Sequence, residues 1–350
     1  MNLGLTGRVA IVAAASKGLG RAVAEELARE GARVAICART ASTLAETAAH
    51  IQKTTGQEVF DQALNVTDST GVAAFVADVE ARLGRIDICV TNSGGPPSNV
   101  FKNTPPEAWR TAFDQLLMST IYFAKETLPR MQKNKWGRLI TITSSVVKQP
   151  VDGLLLSNSL RAAVTGLART LANEYAADGI TVNNVCPGYT RTARLDGLAS
   201  AISARTGSKT EEVFAGWERE IPAGRLGTPQ EFAAVVAFLA SERASYVNGV
   251  SLAVDGGLVY VVETGDEREP LGAVRVARAL LPGGVGRPAA GEVVLRLLDR
   301  REVQARMRGQ RGVQRRRPRL GGTGDEERGQ PLGHGVIPTN PVKMVLNGGG

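Results

Sequence analysis

The chain has 350 residues, a net charge of +8 and 43% apolar residues, enough for one large domain with an extension or for two domains. The charge is uneven: residues 263–350 hold 16 Lys and Arg against 10 Asp and Glu, which leaves the first 262 residues at only +2. Three cysteines (Cys37, Cys89, Cys186) sit in apolar runs without a CxxC pair, and only two histidines occur, so a disulfide frame, a metal site and a histidine triad are not expected. Residues 1–8 lack the apolar core of a secretory signal, and no run approaches the ~20 apolar residues of a membrane span. A cytoplasmic protein without a membrane partner is expected.

In chain order, 9–12 reads as a buried strand, 13–20 as a turn of small residues, and 21–30 as a helix stopped by Gly31. Such a turn aims the free N–H groups of a helix N-terminus at one spot, where the macrodipole favours an anion, and Gly18 and Gly20 let a diphosphate approach the backbone. Residues 33–38 form a second buried strand and 41–55 a helix. A weaker strand lies at 59–64, and Thr67 or Asp68 caps a helix that runs to about Leu83. The strand 86–91 leads into the loop 92–98, and Pro105 or Pro106 opens one long helix toward Met131. Strand 138–143, helix 157–177 and strand 180–186 follow, the last stopped by Pro187-Gly188. Residues 192–221 read as a helical excursion with a polar insert at 206–210, before a helix from Pro229 to Ser241 and a last strand at 250–254.

Apolar strands alternating with amphipathic helices predict a doubly wound α/β fold of the Rossmann type, a mainly parallel seven-stranded sheet with helices on both faces. Ligands in such folds bind outside the carboxyl ends of the strands, where Ser16, Arg39, the 92–94 loop, Ser144 and Pro187-Gly188 would meet. Beyond about Val262 the texture changes: residues 263–350 contain no Phe, Trp, Tyr or Ser, with 15 Arg, 17 Gly and 7 Pro. The chain is therefore expected to divide into a domain at 1–262 and a low-complexity, disordered tail at 263–350. A basic arm for RNA or membrane centred on 311–319 is the sharper reading of that tail. A non-functional extension is preferred, so nucleic acid is not an expected partner.

Several motifs stand in a fixed order. Ala13-Ala14-Ala15-Ser16-Lys17-Gly18-Leu19-Gly20 follows the first strand, Thr91-Asn92-Ser93-Gly94 the fourth, and Pro187-Gly188 with Thr190 and Thr192 the sixth. Asn248-Gly249-Val250 to Val254-Asp255-Gly256-Gly257 closes the series. Through them, residues 5–258 resemble the short-chain dehydrogenase/reductase family. The resemblance implies a dinucleotide cofactor bound by Ala14, Ser16, Lys17, Gly18, Leu19, Gly20, Asn92, Ser93, Gly94, Arg161, Pro187, Gly188, Thr190 and Thr192. Asn65 stands where the family usually has Asp near the adenine, its amide oxygen able to accept from the exocyclic amine, and Val66 supplies backbone contacts. No acid follows the second strand. Arg39 and Lys17 instead flank one expected ribose phosphate, which favours NADP(H) over NAD(H).

The chemistry departs from the family pattern of Ser, then Tyr 13 residues later, then Lys four after that. Ser144 fits the first position, but Ser157 and Arg161 occupy the others, and Leu116 aligns with the family's supporting Asn. Ser157 and Arg161 still share one helical face. A serine hydroxyl cannot replace a phenol as an acid, and Arg161 keeps a positive charge without deprotonating. Tyr189 and Lys148 are weighed as substitute proton donors against packing and solvation, which are preferred; with Gly95 both are assigned to the substrate side. The segments Gly94-Gly95-Pro96-Pro97, Leu156 to Arg161 and Pro187 to Thr192 resemble those of 3-oxoacyl-[acyl-carrier-protein] reductase-like members. An NADP-dependent oxidoreductase acting on a carbonyl or alcohol, or on an acyl thioester, is expected. The alternative is a dinucleotide-binding protein with weak or lost catalysis. The resemblance also implies a homodimer through helices 106–131 and 157–177, or a homotetramer through the last strand.

Overall fold

The computed structural model describes residues 2–259. Seven parallel strands form one sheet in the order β3-β2-β1-β4-β5-β6-β7. They are β1 (Val9–Ala13), β2 (Arg33–Ala38), β3 (Val59–Ala63), β4 (Ile88–Thr91), β5 (Gly137–Ile142), β6 (Ile180–Pro187) and β7 (Ser251–Val254). The helices are α1 (Gly18–Arg29), α2 (Ala41–Thr55), α3 (Ser69–Leu83), α4 (Pro106–Phe113), α5 (Ser119–Lys133), α6 (Leu155–Tyr175), α7 (Ala193–Thr206), α8 (Thr210–Glu220) and α9 (Pro229–Ala240). The expected doubly wound fold is thus the observed one.

Alternation along β1 shows how the sheet is sealed. Ala10 and Val12 pack on one face with Leu27 of α1, Leu44 and Ile51 of α2 and Phe232 and Val236 of α9. Val9, Ile11 and Ala13 pack on the other with Phe75 of α3, Phe123 and Met131 of α5 and Ala168 of α6. Because both faces are covered, β1 is buried at every position, as its unbroken apolar run requires. Of the two cap candidates before α3, Asp68 is the one used: its carboxylate accepts the N–H groups of Thr70 and Gly71 at 3.1 Å.

The expected single helix from Pro106 toward Met131 is two helices joined by a π turn, Asp114–Met118. Apolar periodicity does not register this wider turn. The Ser119 N–H bonds the Asp114 carbonyl five residues back, and the Ser119 and Thr120 hydroxyls donate to the carbonyls of Gln115 and Leu116 at 2.7 and 3.1 Å. Helix α1 also begins earlier than expected, at Gly18, immediately after extended Lys17 (φ −164°). Among the described residues no helix is long and apolar enough to cross a membrane, and no cluster of His, Cys, Asp and Glu could hold a metal. The expected break at 262 and the tail at 263–350 lie outside the described residues.

Candidate active site

The strand order reverses between β1 and β4, which opens a crevice at their carboxyl ends. Asn92, just after β4, bridges it by donating from Nδ2 to the Ala14 carbonyl at 3.4 Å. The loop below is fixed from the other side, where Thr47 of α2 donates to the Ser16 carbonyl at 2.8 Å. Gly20 is buried against the same turn: a Cβ there would stand 2.5 Å from the Ala14 carbonyl oxygen. Gly18 has φ +60°, and its side-chain position faces the Thr192 methyl at 3.7 Å, so the glycine loop and the segment after β6 confront each other. Lys17 at the N-cap of α1 makes no side-chain capping bond, which leaves the first-turn N–H groups without a side-chain acceptor. An uncapped helix end opposite a threonine, with Lys17 at its N-cap exposed, has the donors to meet the diphosphate of a dinucleotide, and Arg39 just after β2 is exposed as well.

Asn65, after β3, is exposed; its amide oxygen accepts the Thr67 N–H at 3.3 Å and keeps a second lone pair, and its amide N–H groups are free to donate. Val66 is buried beside it.

At the other end of the crevice, α6 carries Ser157 and Arg161 to the end of β5. Ser157 is buried. Arg161 donates from Nη1 to the Ile142 and Thr143 carbonyls at 3.3 and 3.0 Å. Burial pushes its pKa down to about 10, helped by the positive charge of Arg194, so the guanidinium is still charged at neutral pH. No carboxylate pairs with Arg161 among the described residues. A small cavity, with room for one water molecule at most, is lined by Arg161, Thr91, Asn92, Ser93, Thr120 and Leu116. Leu116 sits in the π turn and is buried, so the wall holds a hydrocarbon where the family pattern has an amide. Thr91 Oγ1 in the same wall is buried without a hydrogen-bond partner among the described residues. Ser144 begins the turn after β5, where its Oγ accepts the Val146 N–H at 3.3 Å and keeps its own proton free to donate. Lys148 is exposed one turn further on.

The segment after β6 forms a lid. Buried Leu195, Ala199, Trp217, Ile221 and Leu226 bind α7 and α8 together, with Tyr189 packed against them. The Tyr189 ring stacks on Trp217 at 4.9 Å, and Phe214 meets Trp217 edge-on at 5.4 Å. Burial, and then the charge of Glu220, push the phenol up to about 12. Both observations favour the packing reading of Tyr189 over proton donation. Sequence reasoning missed Arg194, in the first turn of α7, which donates from Nη2 to the Pro96 carbonyl at 2.9 Å and lies against Gly95. Its partner is 98 positions away, so no spacing rule could pair them.

Residues 13–259 match the family model described as "Enoyl-(Acyl carrier protein) reductase" (adh_short_C2). The chain belongs to the short-chain dehydrogenase/reductase family. It is 35% identical over 255 residues to the 3-oxoacyl-[acyl-carrier-protein] reductase FabG of Escherichia coli (strain K12), covering 73% of this chain and 98% of FabG. Among solved structures it resembles L-sorbose reductase from Gluconobacter frateurii, complexed with NADPH and L-sorbose, at a TM-score of 0.72 and 31% identity. That match covers 75% of this chain and all (100%) of the other. Actinorhodin polyketide ketoreductase with NADPH matches at a TM-score of 0.69 and 32% identity, over 72% of this chain and 97% of that one. This short-chain dehydrogenase/reductase is thus an oxidoreductase-family member with that family's nucleotide-binding fold.

Proposed function

We propose that this short-chain dehydrogenase/reductase is an NADPH-dependent carbonyl reductase that works without a phenol acid. The observation that carries the reading is the uncapped N-terminus of α1 at the strand-order reversal, flanked by Lys17 and Arg39 with no acid after β2. The α1 N–H groups at Gly18, Leu19 and Gly20, with Ser16, take the diphosphate. Lys17 and Arg39 take the 2′-phosphate, the guanidinium as a planar fork and the ammonium as a point charge. Asn65 and Val66 flank the adenine. Asn92, Ser93, Gly94 and Arg161 hold the nicotinamide ribose, and Pro187, Gly188, Thr190 and Thr192 border the ring. The NADPH bound in the L-sorbose reductase and polyketide ketoreductase structures supports the same cofactor.

When bound, the reduced nicotinamide supplies a hydride. The Ser144 hydroxyl donates to the substrate oxygen and orients it. Arg161, a fixed and partly desolvated cation, stabilises negative charge as it builds on that oxygen. The Tyr189 phenol is held in the lid by its stack on Trp217 and Ser157 is buried on α6, so the proton comes from water entering past Lys148 and Gly95 and passed on through the Ser144 hydroxyl. The FabG similarity supports acyl thioesters among the candidate substrates, with other ketones beside them.

A second reading, a cofactor-binding protein with little turnover, is favoured by Leu116, Ser157 and Arg161 in place of the family's Asn, Tyr and Lys. One experiment separates the two. NADPH and NADH are titrated by fluorescence, and absorbance at about 340 nm is followed with ketones and 3-oxoacyl thioesters. Turnover with NADPH preferred supports the reductase. Tight NADPH binding with no turnover on any carbonyl leaves the binding protein. The Lys17→Ala, Arg39→Ala double variant should lose about 10- to 100-fold in NADPH affinity while NADH affinity changes little. We also propose a homodimer or homotetramer, because Phe101, Phe113 and Val151 near α4 and α6, and Tyr246 and Leu252 near β7, are large and exposed. Light scattering tests this directly.

A further inference from the structure

Two arginines at the substrate end of the crevice have more donors than partners. Arg161 uses Nη1 on the carbonyls of Ile142 and Thr143 at the end of β5, and Arg194 uses Nη2 on the Pro96 carbonyl. The other guanidinium nitrogens of both make no hydrogen bond among the described residues, and neither arginine has a carboxylate partner. Arg161 lines the cavity beside Asn92 and Ser93, and Arg194 reaches the same loop at Gly95 and Pro96, so two like charges meet one loop with no carboxylate partner among the described residues; each accordingly disfavours the other's charge. Arg194 reaches there from α7 across to the loop after β4, against Gly95, where a larger residue would meet the guanidinium at 3.0 Å. The segment leading to Arg194 also carries Tyr189, whose ring stacks on Trp217 and makes the lid apolar and aromatic.

We propose that Arg194, held against the loop after β4, selects substrates that carry a carboxylate one or two bonds from the reacting carbonyl, with the aromatic lid taking the apolar remainder. This rests on the reductase reading above. The chemistry is that of a planar fork on a planar anion, which desolvated guanidinium groups bind bidentately and strongly. Arg161 then stabilises the oxygen being reduced, and Arg194 holds the acid beside it. A neutral ester would leave the two charges uncompensated.

The test uses the full-length chain with saturating NADPH, comparing 2-oxohexanoate and 3-oxohexanoate with their methyl esters. The acids should exceed the esters in kcat/KM by about 10- to 100-fold. In Arg194→Met that ratio should collapse toward one, mainly through KM, with NADPH affinity shifted less than about threefold. Arg194→Lys should restore part of the ratio, since it keeps the charge but not the fork. Esters reduced as well as acids overturn the proposal. So does an Arg194→Met protein that keeps the ratio and loses NADPH affinity about tenfold, which would assign Arg194 to the cofactor diphosphate. Should no compound turn over, the same acids and esters are titrated into the NADPH complex by fluorescence. Quenching by acids alone then upholds the proposal while the reductase reading fails. Equal quenching, or none, overturns the proposal.

Discussion

Ala14 holds φ at +50° in the turn after β1, one of two non-glycine residues with positive φ among those described, the other being Lys135. A left-handed conformation costs an L-residue about 1–2 kcal/mol, which glycine avoids. Ala14 is only partly buried, so its methyl gives back little in packing. Ala14→Gly should therefore stabilise the fold by about 0.5–1 kcal/mol, net of the extra freedom glycine gains when unfolded. Urea unfolding checks it, as a higher midpoint at unchanged slope; a lower midpoint would mean that the turn carries no strain. The loop containing Ala14 was legible from sequence because glycines, small residues and a strand fall within a dozen positions. Arg194 was not, because its contact with Pro96 exists only once the lid is folded over the β4 loop.

Helix boundaries show the same division between local and distant signals. Helix α9 starts where its sequence says it must: Thr228 and Glu231 form a capping box with Pro229 between them. Arg225 adds two bonds to the Glu231 carboxylate. These partners, Arg225 first and then the Thr228 N–H and hydroxyl, hold the Glu231 pKa down to about 2 against an ordinary 4.5. A depressed carboxylate stabilises the fold above its unfolded pKa and loses that contribution as pH falls through the folded value. Glu231→Gln should thus lower the melting temperature at pH 7, and the gap from the parent should narrow between pH 4.5 and about 2. The effect is modest because the pair is exposed to solvent. Melting curves across that range would refute the role of the charge if the gap stayed constant. By contrast, the π turn at Asp114–Met118 left no mark in the periodicity, since one extra residue in a turn does not change which side chains are apolar. It nevertheless points Leu116 into the wall beside Arg161, so the part of the site least like the family pattern was also the part least legible.

Every strand of the sheet and every residue proposed for the site lies at or before Val254, and the described chain closes soon after. The Asp255 carboxylate accepts the N–H groups of Gly257 and Val259 at 3.0 and 2.9 Å. The side-chain position of Gly188, bordering the proposed nicotinamide site, packs on Asp255, with a Cβ there 2.5 Å from the Asp255 Cβ. The fold and the site therefore need residues through Val259, whereas the excess charge lies later: residues 263–350 account for +6 of the net +8. A chain ending at Val262 should keep its NADPH affinity and melt within about 2 °C of the full-length protein. A loss of either would show that the sheet depends on residues beyond Val262. The same pair of proteins decides what the arginines do. A basic arm binds RNA with an affinity that falls steeply as salt rises, because each phosphate contact releases counterions. We expect no such binding by the full-length chain at physiological salt. Binding that weakens with salt and disappears on truncation would instead give the region after Val262 a function of its own, separate from the reductase chemistry proposed for the crevice.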